Sequence, residues 1–155
     1  MTESNNAQSS TDIHYAGLFR RLFAIFYDCF LLIAILFVVT SIATALNHGK
    51  AIETGDTFYP LYVLVVFGLS YLYFAWFWIH GGQSLGMKTW RIQLVAADDR
   101  KLNWQTTAIR FFSAIFSWGI FGLGFLWAIF DKHNRCWHDL ASKTVLLDLK
   151  QQRQN

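Results

Sequence analysis

From Leu22 to Leu46 the chain carries a single charged residue, Asp28. A second run, Leu61 to Ile79, has no charge at all, and neither has a third, Phe111 to Phe130. A helix needs about 20 apolar residues to cross the hydrocarbon core of a bilayer, and each run is about that long. Composition agrees, since Asp, Glu, Lys and Arg make up 15% of the chain against about 25% in globular domains. These runs call for a membrane fold. An ionised carboxylate inside a lipid-spanning helix costs roughly 2.5–3.5 kcal/mol on insertion scales. Asp28 therefore requires a partner, a proton or a task.

The first span is expected over Leu22–Leu46 and the second over Leu61–Ile79. Between them lies a short polar loop, 47–59, where Asp56 or Thr57 can cap the second helix and Pro60 suits its first turn. Tyr59 and Tyr62 at one end of the second span and Trp76 and Trp78 at the other match interfacial aromatic belts. Arg20 and Arg21 precede the first span, and Lys50 is the one basic residue of the loop. Lys88, Arg91, Arg100, Lys101 and Arg110 follow the second span, and five more basic residues follow Phe130. The positive-inside rule then faces the loop outward and places the amino terminus in the cytoplasm of a multi-pass protein. Residues 1–14 read as a disordered polar tail, 15–150 as one membrane domain and 151–155 as a second polar tail. No cleavable signal peptide is evident, so the first span is expected to act as an uncleaved anchor. Cys29 and Cys136 are expected as free thiols.

Gly119, Gly122 and Gly124 crowd the third run and permit a bend. Two helices are expected, about Trp104–Trp118 and Phe121–Asp131, as a re-entrant or interfacial hairpin, with a simple third span as the alternative. Trp90–Val95 alternates apolar and polar residues, and Thr144–Leu149 opens β-branched and partly alternates. Pairing these two strands would put them on one side of the membrane. The expected fold class is thus an all-α membrane protein. It has two full transmembrane helices, a Gly-rich third apolar segment and a small two-stranded cytoplasmic β element.

Arg21 and Asp28 are about two helical turns apart, on the same side but about 10 Å apart along the axis. That is too far for direct contact, so Arg110 is the candidate cation for Asp28. The charges are expected first as a structural network that clamps helices; a proton or cation site is the sharper alternative, because intramembrane carboxylates are functional-site candidates by default. His80–Lys88 lacks the spacing of a phosphate loop. It reads as a helix C-terminal turn with left-handed glycines and Lys88 at the inner surface. Asp98–Lys101 reads as a solvated turn, followed by Asn103 as a helix cap. His133, Cys136, His138 and Asp139 could each ligate a metal, but their spacing matches no standard zinc pattern, and no metal is assigned. No nucleophile and base, oxyanion donor or nucleic-acid motif stands out. An enzyme is not expected, nor a cofactor, nor a nucleic-acid partner.

Four elements in order give the chain a specific resemblance to the RDD family of small bacterial membrane proteins, over about Ala16 to Leu149. They are Arg20–Asp28, Gly82–Lys88 leading into Trp90–Val95, Ala108–Arg110, and His138–Val145. The resemblance makes Arg21 and Asp28 the family's arginine and first aspartate, and Asp139 its second aspartate. The membrane-interface motif comprises Gly82, Gln83, Ser84, Gly86 and Lys88. One departure is Lys143, where the family usually has glycine. The resemblance implies an inner-membrane protein, with transport of ions or other ligands proposed for some members. On that basis Arg21, Asp28, Arg110 and Asp139 form a candidate network for a proton or monovalent cation. Two crossings are few for an enclosed path, so a homo-oligomer or another membrane protein is expected as partner. In the alternative, the same charges orient helices and the basic face binds a partner or anionic lipid.

Overall fold

The computed structural model describes residues 14–98, 100–120, 122–132 and 134–152. The amino-terminal tail short of His14, the last three residues, Asp99, Phe121 and the candidate ligand His133 lie outside the described residues.

The first two runs are long helices. Helix α1 covers Leu18–Leu46, one turn more than expected, and α2 covers Tyr59–Gly81. Both are long and apolar enough to cross a membrane. They run antiparallel: Asp28 meets Tyr73, while Thr40, further along α1, meets Tyr62, earlier on α2. The burial pattern is inverted relative to a water-soluble helix. On α1 the buried residues are Arg21, Ala24 and Asp28, one face at helical spacing. Large apolar side chains such as Phe30, Ile33 and Phe37 point outward. Such helices bury their charges against protein and offer apolar surface to lipid.

Neither Asp56 nor Thr57 caps α2. Phe58 occupies the cap position without a side-chain bond, and Asp56 instead accepts the Glu53 N–H at 2.9 Å. Pro60 sits in the first turn, where its missing N–H costs nothing.

Gly82 ends α2 in the left-handed conformation, φ 64°. A five-residue helix follows, α3 over Leu85–Thr89, capped by Ser84, whose oxygen accepts the Met87 N–H. Strand β1, Ile92–Ala96, pairs antiparallel with β2, Thr144–Asp148, with Leu94 opposite Leu146. The sheet has a further partner that the alternation pattern did not reveal. Tyr15 bridges to Leu147, the Ala16 N–H donates to Leu146 O and the Asp148 N–H donates to His14 O, both at 2.8 Å. Ile92, Leu94 and Leu146 pack inward with Ala16, Ala24, Trp78 and Met87 to form the main apolar core.

The third run is broken, as its glycines suggested. Helix α4, Trp104–Gly119, is capped by Asn103, whose oxygen accepts the Thr106 N–H at 2.8 Å. Gly122 then takes a left-handed conformation, φ 71°. The short α5, Leu123–Leu126, continues as a 3-10 turn to Ile129, and this half is bent by 107° from α4. Helix α6, Trp137–Ser142, packs on α4 and leads into β2, and α7, Leu149–Gln152, follows β2.

Candidate functional site

The charged residues assemble into two sites that border one cavity. The first is built on Asp139. Cys136 is the cap residue of α6 and Asp139 is the third residue inside, so the carboxylate folds back onto the helix start. Asp139 Oδ2 accepts the Cys136 N–H at 2.9 Å. Arg21 Nη1 from α1 donates to the same oxygen, and Arg110 Nη1 from α4 donates to Oδ1. All three side chains are at most 4% exposed, so these are desolvated ion pairs. Arg110 Nη1 also donates to Thr144 Oγ1 at 2.8 Å, and Arg21 Nε to Ala16 O at 3.0 Å. One carboxylate thus ties α1, α4 and α6 together. Burial alone would raise the Asp139 carboxyl, but the Arg110 and Arg21 guanidiniums hold it well below the usual carboxylate range.

His138 and Cys136 stand beside this pair. Burial, reinforced by Arg110, pushes the His138 imidazole down to about 3. Burial and the Asp139 charge push the Cys136 thiol up to about 11. Cys136, His138 and Asp139 can bring ligand atoms within 4.8 Å of one another. However, both Asp139 oxygens already receive guanidinium, and Arg21 Nη1 lies 3.5 Å from the Cys136 sulfur. A cation there would face two fixed positive charges, so the geometry is that of a carboxylate clamp.

The second site is built on Asp28, and its partner is not Arg110. Tyr73 Oη donates to Asp28 Oδ1 at 3.0 Å, the Gly86 N–H donates to Oδ1 at 2.9 Å and Ser84 Oγ donates to Oδ2. Arg110 is committed to Asp139 instead. The reason is axial distance: Asp28 lies about 10 Å beyond Arg21 along α1, level with α3 rather than α6. Gly86 permits the approach, since a Cβ there would overlap Ala24 O and lie 2.9 Å from Asp28 Oδ2.

The Gly82–Lys88 motif therefore does more than end a helix. Gly82 acts as the left-handed turn, as expected. Gln83 Nε2 donates to Ile92 O at 2.8 Å, which fastens the loop to β1. Ser84 and Gly86 then present a hydroxyl and a free first-turn amide to Asp28. The sequence signal for this was available: a capping serine two residues after a helix-ending glycine opens a new helix whose first N–H groups are unpaired. Lys88 is exposed in the last turn of α3.

Between the two sites lies a cavity of about 190 Å³. Arg21, Asp28, Arg110 and His138 line it together with Trp78 and apolar residues. The Arg110 guanidinium stands 5.2 Å from the centre of the Trp78 ring.

The sequence profile of the RDD family matches residues 15–143. No curated protein and no solved structure matches the chain.

Proposed function

Because this chain belongs to the RDD family, we propose that it is an inner-membrane protein of bacteria that exchanges a proton or a monovalent cation at Asp28. In this reading Arg21, Asp139 and Arg110 form the structural clamp that shapes the site. The observation that carries the reading is the difference between the two carboxylates. Asp139 is neutralised by two guanidiniums, whereas Asp28 is 1% exposed and held by two hydroxyls and one backbone amide, all uncharged. None of these hydrogen-bond partners of Asp28 is a cation, which leaves the place of one open to an exchanging ion.

The sheet supports one membrane arrangement. Residues 14–16 and β1 pair with the two edges of β2. The chain therefore enters α1 and leaves α2 on one side, which supports two full crossings. The segment between β1 and β2 also starts and ends on that side, which supports a re-entrant hairpin for α4 and α5. The basic residues favour the cytoplasm for that side, and a homo-oligomer would complete an ion path.

The test is proton flux in proteoliposomes carrying a pH-sensitive dye. Asp28→Asn is expected to abolish cation-dependent flux while the folded protein is retained. Flux equal to that of the parent protein rejects the exchange site. A second reading is favoured by the full set of donors around both carboxylates: a non-transporting scaffold in which the charges only orient helices. It predicts no flux in the parent protein and a loss of stability or assembly in Asp28→Asn.

A further inference from the structure

The cavity between the two carboxylate sites has a wall made largely of carbon. Phe74, Met87, Ile92, Phe111, Ala114 and Leu146 all contribute to it. Arg21, Asp28 and Arg110 line it too, but their charged ends are engaged within the protein. The two guanidiniums bond Asp139 and Thr144, and Asp28 bonds Tyr73, Ser84 and Gly86. Two arginines stand against two aspartates, so no charge is left over for a ligand. The nitrogens of Arg21, Arg110 and Trp78 that lack a bond are themselves shut away from open space. Water finds too few polar partners in such a place, whereas an apolar group gains dispersion contacts from every wall.

The mouth of this cavity is continuous with the lipid-facing surface. Cys29 of α1 and Ile115 and Trp118 of α4 belong both to the cavity wall and to the exposed surface. Helix α1 packs chiefly on α3, and α4 on α6 and α2, so the seam between α1 and α4 is only loosely closed. The exposed surface of both helices is apolar, with Phe30 and Ile33 on α1 and Phe112 and Phe116 on α4 more than half exposed. With Leu22 at the hydrocarbon boundary, Cys29 lies about 10 Å further in along the helix axis, at the depth of acyl chains.

We propose that this cavity holds the end of one acyl chain of a membrane lipid, which enters through the seam between α1 and α4. Acyl chains are the apolar groups that a bilayer brings to the mouth, and a charged headgroup meets no free charge inside. The volume of about 190 Å³ suits a chain end rather than a whole lipid, since an apolar cavity of about 150 Å³ admits benzene. This inference does not rest on ion exchange at Asp28, because lipid contact is read without an ion gradient.

The experiment places the full chain in nanodiscs of phosphatidylcholine that carries a diazirine at the methyl end of one acyl chain. After irradiation, mass spectrometry maps the labelled residues. Labels are expected at Met87 and Leu146, which line the cavity and are buried, as well as at the outward-facing Ile33 and Phe37. Phosphatidylcholine with the diazirine next to the ester should label the outer surface and leave Met87 and Leu146 unlabelled. Ala114→Leu fills part of the cavity without adding charge. It should lose the labels at Met87 and Leu146 and keep those at Ile33 and Phe37. Ile115→Phe narrows the mouth at an exposed position and gives the same readout should Ala114→Leu fail to fold. Labels confined to the outer surface in the parent protein overturn the proposal and leave the seam to a second copy of the chain. Equal inner labelling by the two lipids, or inner labels undiminished in a folded variant, overturns it as well.

Discussion

Gly86 donates its backbone N–H to Asp28 Oδ1 at 2.9 Å, across 58 residues of sequence, and does so because it has no side chain. A Cβ at this position would run into Ala24 O of α1, so α3 and α1 meet backbone to backbone. Gly86→Ala should therefore force α3 off α1 and strip Asp28 of a buried donor. The expected loss is about 2–3 kcal/mol, from overpacking and a lost bond to a charged group. Gly81→Ala, where a Cβ meets nothing within 4 Å, should be close to neutral. Thermal unfolding of the two variants in detergent checks the contrast.

Arg20 and Arg21 are neighbours with different tasks. Arg20 pairs with Asp148 at 2.8 Å with its own side chain 30% exposed, while Arg21 is 3% exposed and holds Asp139. Removing one partner of a buried pair costs about 3–5 kcal/mol, whereas a partly solvated pair contributes about 1 kcal/mol or less. Arg21→Ala should accordingly lower folded yield and melting temperature sharply, and Arg20→Ala only slightly. Equal effects would show that Asp139 is adequately held by Arg110 alone.

Acid should destabilise the protein in two steps. His138 falls from 6.5 to about 3 on folding, so the unfolded chain binds its proton first. The stability from a neutral His138 is complete above pH 6.5 and drains away as pH falls toward 3. Asp139 is held below the ordinary carboxyl value of 3.8, so its contribution is intact above that value and is lost only below it. Unfolding midpoints measured from pH 8 to pH 3 should decline from about pH 6.5. His138→Phe should flatten the upper part of that decline and leave the lower part in place.

Lys143 ends α6 with φ 51°, a left-handed conformation. This is where the resemblance led one to expect glycine, and the backbone supplies the reason. A left-handed L-residue costs roughly 1–2 kcal/mol, and glycine escapes it at some entropic cost in the unfolded chain. Lys143→Gly should thus raise stability by about 0.5–1 kcal/mol. A lower melting temperature would mean that the exposed lysine makes a compensating interaction.

Much of the fold was legible from local pattern. Apolar length marks α1 and α2, alternation marks β1 and β2, Asn103 marks the start of α4, and Gly122 marks the break after it. Each signal acts over a few residues, so the sequence can display it directly. The same holds for Asp28 as a residue that must be paired, because an ionised side chain among apolar neighbours has no other stable option, whereas Arg21 and Asp139 were singled out by the family resemblance.

Which pairs with which was a matter for tertiary structure. Arg110 was the natural candidate for Asp28, yet it reaches Asp139 and Thr144, while Asp28 takes Ser84, Gly86 and Tyr73. The β-bridge at Tyr15 was equally hidden, because so short a pairing carries no periodicity. By itself the sequence determined a membrane protein of two long apolar helices with charges that cannot stand alone. Only the folded chain decided their partners, because a hydrogen bond is made within about 3 Å, and which groups come that close depends on how α1, α3, α4 and α6 pack together.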